Sequence, residues 1–163
     1  MPFDASALPA SARRVSELLV AFGHHGEVTM LADSARTAAE AAAALGCSIA
    51  EIAKSIVFRR LVDDAAVVVI TSGDNRVDAT KVAAMVGDIG KADAEFVRSA
   101  TGYAIGGVSP VGHHDTTVLV IDRDLSRFGT IWAAAGHPHA VFPLTPAELS
   151  AWLRVEPSDV RVD

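Results

Sequence analysis

Hydrophobic positions recur at two spacings along this chain, and together they predict a mixture of helices and strands. Apolar residues three or four positions apart are typical of helices, and the capping boxes Thr37–Glu40 and Thr145–Glu148 mark the start of two of them. We expect helices over 9–22, 37–46, 78–86, 93–99 and 145–153, with a short helical turn at 48–51. Runs rich in β-branched residues predict strands over 27–32, 54–61, 66–72, 116–121, 130–135 and 140–144.

The order of these elements favours an α/β fold with a mixed β-sheet. Only the four residues 62–65 connect the predicted strands 54–61 and 66–72, which is the length of a β-hairpin connection. Helices are predicted between other strands, so the sheet is expected to be mixed. Half of the 163 residues are apolar, which is enough for one core but short for two. We therefore expect a single domain over residues 1–163.

Charge and cysteine content narrow the possible function classes. The formal charge of −6 argues against broad attraction to nucleic acid, although Arg59, Arg60, Arg76 and Lys81 could meet a few phosphates. Cys47 is the only cysteine, so neither an intrachain disulfide nor a cysteine-based zinc site can form. The chain shows no signal-peptide pattern and no long uncharged apolar window. We expect a soluble, cytoplasmic protein without a membrane segment.

Lys54 is the first candidate for chemistry. It lies in the apolar run 49–58, and the chain has only two other lysines. Moving an ammonium towards a core costs free energy unless it is paired or used, although a lysine at a strand end can also extend its charge into water. A glycine-rich segment follows, and its centre consists of Gly106, Gly107, Val108, Ser109 and Pro110. It could present main-chain groups to a ligand, or simply form a structural turn.

Other polar residues give weaker signals. Asp74 and Asp78 flank Arg76, a spacing that suits helix capping and surface ion pairs at least as well as acid–base chemistry. Of the six histidines, only His137 and His139 are placed to share a face of a strand. No HExxH motif or set of thiolates accompanies them, so we expect no metal and no other cofactor.

Two further residues are weak candidates for a nucleophile. Ser109 lies near His113, but the sequence has no Gly-x-Ser-x-Gly elbow around a nucleophilic serine. Cys47 stands beside apolar residues at a helix end and is expected to be a small core residue.

Four segments taken in order carry a family resemblance: 37–46, 52–59, 73–78 with Lys81, and 101–112. The final strand pair and residues 144–149 complete it. With these segments the protein resembles the YbaK/ProX aminoacyl-tRNA deacylases, which are similar to the editing insertion domain of bacterial prolyl-tRNA synthetases. Each motif alone is modest, whereas their order and spacing together are specific.

The resemblance implies a free-standing editing enzyme that hydrolyses the ester between a wrong amino acid and the 3′ end of a tRNA. Its implied fold is a mixed, barrel-like sheet surrounded by helices. In that family the lysine equivalent to Lys54 is required for activity, and the loop matched by 106–110 shapes the aminoacyl pocket. Asp74, Arg76, Gly136 and His137 are further candidates for substrate binding. The turn 136–139 departs from many relatives, which leaves the edited amino acid open.

The implied partners are a mischarged tRNA and, as a further candidate, an aminoacyl-tRNA synthetase. No carboxylate or histidine stands out as a general base, so the ribose hydroxyl of the substrate or a water held by loop carbonyls is expected to assist. The main alternative is a non-catalytic module that binds an aminoacyl group, a nucleotide or a synthetase. A metal-dependent hydrolase that uses His137 and His139 is a third possibility.

Overall fold

The computed structural model describes residues 3–35 and 37–163, and within these ranges it contains five α-helices and seven strands. The helices are α1 (Ala10–Ala21), α2 (Ala38–Leu45), α3 (Ala79–Val86), α4 (Ala94–Thr101) and α5 (Pro146–Leu153). The strands are β1 (Thr29–Met30), β2 (Ile52–Arg60), β3 (Ala66–Ser72), β4 (Ile89–Lys91), β5 (Val118–Ile121), β6 (Ile131–Ala134) and β7 (Ala140–Leu144). Short 3₁₀ turns cover Ala5–Ala7, Ile49–Glu51 and Arg123–Arg127. None of the described helices is long and apolar enough to cross a membrane.

Hydrogen bonds between polar side chains and the first turn explain where most of the described helices begin. The Thr37 hydroxyl accepts a hydrogen bond from the main-chain N–H of Glu40 at 3.1 Å. Thr145 and Glu148 bond reciprocally, as the capping box predicts. Asp78 accepts from two N–H groups in the first turn of α3. These bonds satisfy donors that have no partner inside the helix, so the predicted helix starts are confirmed.

The strands form one mixed sheet in the order β1-β7-β6-β2-β3-β5, with β4 paired to β2 beside this path. The predicted hairpin joins β2 to β3 antiparallel, whereas β2–β6 and β3–β5 are parallel. The mixed α/β fold is therefore confirmed. β1 is shorter than expected at two residues, and β4 was not predicted.

The sheet separates two apolar clusters. Val68 and Ile70 of β3 belong to the larger cluster with α1, and Val67 and Val69 belong to the smaller one with α3. Successive strand residues point to opposite faces, so β3 is buried on both sides. This explains its unbroken apolar sequence.

A buried carboxylate anchors the loop that follows β3. Asp122, which is 1% exposed, accepts hydrogen bonds from Thr71 Oγ1 at 2.8 Å, Ser72 N at 3.0 Å and Asn75 Nδ2 at 2.8 Å. The main-chain N–H of Asp124 donates to its other oxygen at 2.9 Å. These donors offset the cost of burying the carboxylate and fix loop 73–76 against the end of β5.

Candidate active site

A cavity of about 330 Å³ lies between α2, the first half of β2 and the loop around Gly106. Ala38 and Ala41 of α2 form one wall, and Trp132 of β6 belongs to another. Most of the lining is apolar, and the small alanines leave room for a ligand. No aspartate or glutamate occurs among the described residues of this lining.

Lys54 lines this cavity from the third position of β2. The side chains of Ile52 and Ile56 point to the same face of the sheet as Lys54, because successive side chains of β2 alternate between the two faces. Lys54 is half-buried, and within residues 3–35 and 37–163 its ammonium has no hydrogen bond and no salt bridge. An ammonium with no partner among the described residues, in a largely apolar cavity, is available to a ligand. The half-buried position also allows the side chain to extend its charge into water, which is the alternative considered from the sequence.

The glycine loop contributes another part of the cavity wall. Gly106 lines it with a φ of 89°, a left-handed conformation that favours glycine. A Cβ on Gly107 would come within 2.9 Å of the His137 carbonyl carbon and 3.0 Å of Pro138 N. Gly107 thus allows the loop to pack directly on the turn 136–139, and Pro138 of that turn also lines the cavity.

The rest of the loop lies mostly behind the cavity wall. Val108 lines the cavity, whereas Ser109 and Pro110 are buried and are not among its lining residues. The ring nitrogen Nε2 of His113 is 2.6 Å from the main-chain oxygen of Ser109, not from its hydroxyl. The Ser109 hydroxyl instead accepts from Val111 N at 3.3 Å. This geometry does not form a serine–histidine nucleophile.

In the turn between β6 and β7, Gly136 packs against α1, and His137 forms a hydrogen bond within the turn. Gly136 has a φ of 86°, and a Cβ there would come within 2.7 Å of Ser11 O in α1, so it fixes the close packing of the turn on that helix. His137 accepts a hydrogen bond from His139 N at Nδ1, at 3.1 Å. Nδ1 is thus occupied as an acceptor, and no described residue bonds Nε2; His137 itself is not among the described residues that line the cavity. The two rings lie 5.7 Å apart.

The described residues contain no cluster of three or more potential metal ligands. Cys47 is half-buried, and burial raises the pKa of its thiol, with the nearby Glu51 carboxylate adding to the effect. A raised pKa lowers the thiolate fraction, which argues against a role as nucleophile.

Asp74 and Arg76 are not among the described residues that line the cavity. Burial would raise the pKa of Asp74, but hydrogen bonds from Ser72 and Arg127 lower it overall. The Arg76 side group is exposed, and its main-chain oxygen accepts from Val162 N at 2.8 Å. The structure thus brings Lys54, Gly106 and Val108 together and places this pair elsewhere.

The basic patch suggested by the sequence is largely neutralised. Arg59 pairs with Asp64, and Arg60 pairs with Asp63. Lys81 contacts the carboxylates of both Asp159 and Asp163. Of the four cations, only Arg76 forms no salt bridge with a described residue.

Several known proteins are similar to this chain in sequence and in fold. Residues 32–151 match the family model of the aminoacyl-tRNA editing domain. The uncharacterised protein YwhH of Bacillus subtilis strain 168 is 32% identical over 130 residues, which are 79% of this chain and 82% of YwhH. A candidate trans-editing enzyme for prolyl tRNA synthetase has a solved structure with a TM-score of 0.89 and 40% identity, covering 96% of this chain and all of the other. The hypothetical protein APE2540 is similar at a TM-score of 0.83 and 31% identity, covering 91% of this chain and 99% of its own.

The matched range contains both sides of the cavity, from α2 through Lys54 and the glycine loop to the turn before β7. The sequence and the fold therefore agree that this chain belongs to the aminoacyl-tRNA editing domain family.

Proposed function

We propose that this protein is a trans-acting deacylase that hydrolyses the ester bond between a wrong amino acid and the 3′ end of a tRNA. The observation that carries the proposal is the ammonium of Lys54, which has no partner in the part of the chain that the structure describes, in a largely apolar cavity bordered by the glycine loop. Membership of the editing-domain family supports the reaction, and the similarity to a candidate trans-editing enzyme supports action on a separate tRNA.

In the proposed reaction, a water oxygen attacks the ester carbonyl carbon and the carbonyl oxygen becomes an oxyanion. Lys54 donates hydrogen bonds to this oxygen, and each preorganised donor of this kind lowers the barrier by about 3–4 kcal/mol. The carbon–oxygen bond to the ribose then breaks, and the ribose oxygen receives a proton from the attacking water. The products are the free amino acid and the uncharged tRNA.

The cavity lining has no carboxylate to act as a general base among the described residues. We propose that the vicinal ribose hydroxyl orients the water and that His137 contacts the ribose through Nε2. Gly106 and Val108 line the proposed aminoacyl pocket, and Gly107, Ser109, Pro110 and Gly136 support its wall through their packing. Arg76, which is exposed, meets a phosphate of the acceptor arm, and Asp74 holds the adjoining loop through Ser72 and Arg127.

No cofactor takes part in this scheme, and one domain over residues 1–163 performs it in the cytoplasm, where charged tRNA is used. The similar candidate trans-editing enzyme is described with prolyl tRNA synthetase. We therefore propose a mischarged tRNA specific for proline as the substrate to test first, and prolyl-tRNA synthetase as a partner.

The test is a panel of tRNAs charged with radiolabelled non-cognate amino acids, incubated with and without the protein. Enzyme-dependent loss of the ester from at least one of them is the expected result. Tight binding of a mischarged tRNA without loss of the ester would instead identify a binding module. Full activity in excess EDTA is expected, and loss of activity that added zinc restores would indicate the metal-dependent alternative.

A further inference from the structure

Where it borders the cavity, one edge of β2 has no partner among the described strands. Along this edge β2 pairs with β6 at Ile52 and Ala53, and with β4 at Phe58–Arg60. No described strand pairs with residues 54–57 on that side. Lys54, Ser55 and Ile56 all line the cavity, so this unpaired stretch of backbone is part of the cavity wall.

The register of the hairpin shows which backbone groups face this gap. Arg60 N donates to Ala65 O at 2.8 Å, so these two residues form a hydrogen-bonded pair. Hydrogen-bonded and non-hydrogen-bonded pairs alternate in an antiparallel ladder, which makes Lys54–Thr71 a bonded pair and Ser55–Ile70 a non-bonded pair. The N–H and C=O of Ser55 therefore point away from β3 and towards the gap.

The hydroxyl of Ser55 is uncommitted as well. Its Oγ is buried and has no hydrogen-bond partner among the described residues. The other hydroxyl of the cavity lining, on Thr37, is already used to cap α2. Buried polar groups nearly always have a partner, and a serine hydroxyl can turn between three staggered positions to reach one. Among the described residues Ser55 thus has two unused acceptors: its C=O is directed into the gap, and its buried Oγ, on the face of β2 opposite to the Lys54 side chain, can reach the same edge by rotation about χ1.

These two acceptors suit an ammonium group, which carries three donors and no acceptor. In an aminoacyl ester the α-amino group is two bonds from the carbonyl carbon, and Lys54 and Ser55 are adjacent residues with Cα atoms about 3.8 Å apart. Lys54 and Ser55 both border the cavity, so an ester whose carbonyl contacts the Lys54 ammonium can extend its amine towards the C=O of Ser55 at the unpaired edge. We propose that Ser55 binds the α-amino group of the substrate through its backbone C=O and its Oγ. This inference rests on the deacylase function proposed above.

The test compares two esters that differ only in this group. The tRNA that the wild-type protein deacylates fastest in the panel is treated with nitrous acid, which converts its α-aminoacyl ester to the α-hydroxyacyl ester of nearly the same shape. Rates are divided by the uncatalysed rate of each ester. Two charge-assisted hydrogen bonds of about tenfold each predict a preference of about 100-fold in kcat/KM for the amino form.

Variants separate this role from a structural one. Ser55→Ala keeps the backbone acceptor, so the preference should fall to about tenfold, while Ser55→Thr should retain the wild-type preference. Lys54→Ala should slow both esters by the same factor. Ser99→Ala, which removes an exposed hydroxyl on α4, is the matched control and should change nothing.

Equal corrected rates for the two esters with the wild-type protein would overturn the inference. A Ser55→Ala variant that loses activity on both esters equally would also overturn it, because that pattern indicates a structural hydroxyl. If the protein removes the amino acid from none of the tRNAs in the panel, the deacylase function itself is refuted, and this inference with it.

Discussion

Replacing Lys54 with alanine should abolish deacylation without unfolding the protein. The ammonium has no salt bridge with a described residue, so its removal strands no buried carboxylate. Breaking a buried ion pair would cost about 3–5 kcal/mol of stability, whereas a change without such a partner usually costs less than about 0.5 kcal/mol. For a domain of this size, the smaller figure corresponds to a shift in Tm of about 2 °C or less.

The effect on the reaction should be much larger. Loss of one oxyanion donor raises the barrier by about 3–4 kcal/mol, which is a fall in kcat of about 10²- to 10³-fold. Lys54→Arg should also be slow, because a planar guanidinium presents its donors in a different geometry from a compact ammonium. Lys91→Ala removes an exposed lysine of β4 and is the matched control.

The assay combines single-turnover deacylation of the best mischarged tRNA with a thermal melt of each variant. Wild-type turnover by Lys54→Ala would refute the assigned role. A fall in Tm of about 10 °C with a matching loss of activity would show instead that Lys54 supports the fold through a contact formed in solution.

Three other changes test the surroundings of the site. Gly107→Ala should lower kcat/KM at least about tenfold, because the added Cβ would push the loop away from the backbone of His137 and Pro138. Gly129→Ala is the control, since a Cβ there meets no atom within 4 Å. Equal kinetics for the two variants would contradict the close packing of the loop. Asp122→Asn should reduce the free energy of unfolding by about 3 kcal/mol, because an amide cannot accept hydrogen bonds from all the donors that surround this position. A urea titration measures the change, and an unchanged midpoint of the unfolding transition would show that the carboxylate is dispensable for stability. Burial lowers the pKa of His113 from 6.5 in spite of its hydrogen bond to Ser109, so on acidification the unfolded state binds a proton before the folded state does, and stability should fall as the pH drops below about 6.5. His113→Gln should flatten the dependence of Tm on pH between about 7 and 5. An unchanged slope would exclude this histidine as the source of the pH dependence.

Elements whose signals are local were predictable from the sequence. The capping box at Thr145 needs only four neighbouring residues, and the positive φ of Gly46 needs only the end of α2. β4 could not be found this way, because Ile89–Lys91 has three residues with a glycine in the middle and exists through its pairing with β2. The burial of Asp122 is another tertiary effect, since its donors come from a segment about 50 residues away.

The site was predictable in part, and for the same reason. Lys54 stands out because an isolated charge in an apolar run is visible in the sequence, and the glycines of the loop are equally visible. Ser55 gave no signal, since a single serine in a strand forms no motif and its proposed role depends on an edge of β2 that no described strand pairs with. Asp74 and Arg76 gave a local pattern that suits both a cap and a site, and the structure places them outside the cavity lining.

The distribution of charge indicates how such a protein could select its substrate. Among the described residues, six lysines and arginines form salt bridges with aspartates, and the formal charge of the chain is −6, which argues against a broad attraction to the tRNA backbone. Lys54 lies instead in an apolar cavity, where a charge acts more strongly than it does in water. In the proposed reaction its ammonium stabilises the oxyanion of every aminoacyl ester alike and therefore does not distinguish one amino acid from another. Discrimination must come from the walls, where Ala38 and Ala41 leave a limited space and one methylene changes binding by about 1–3 kcal/mol.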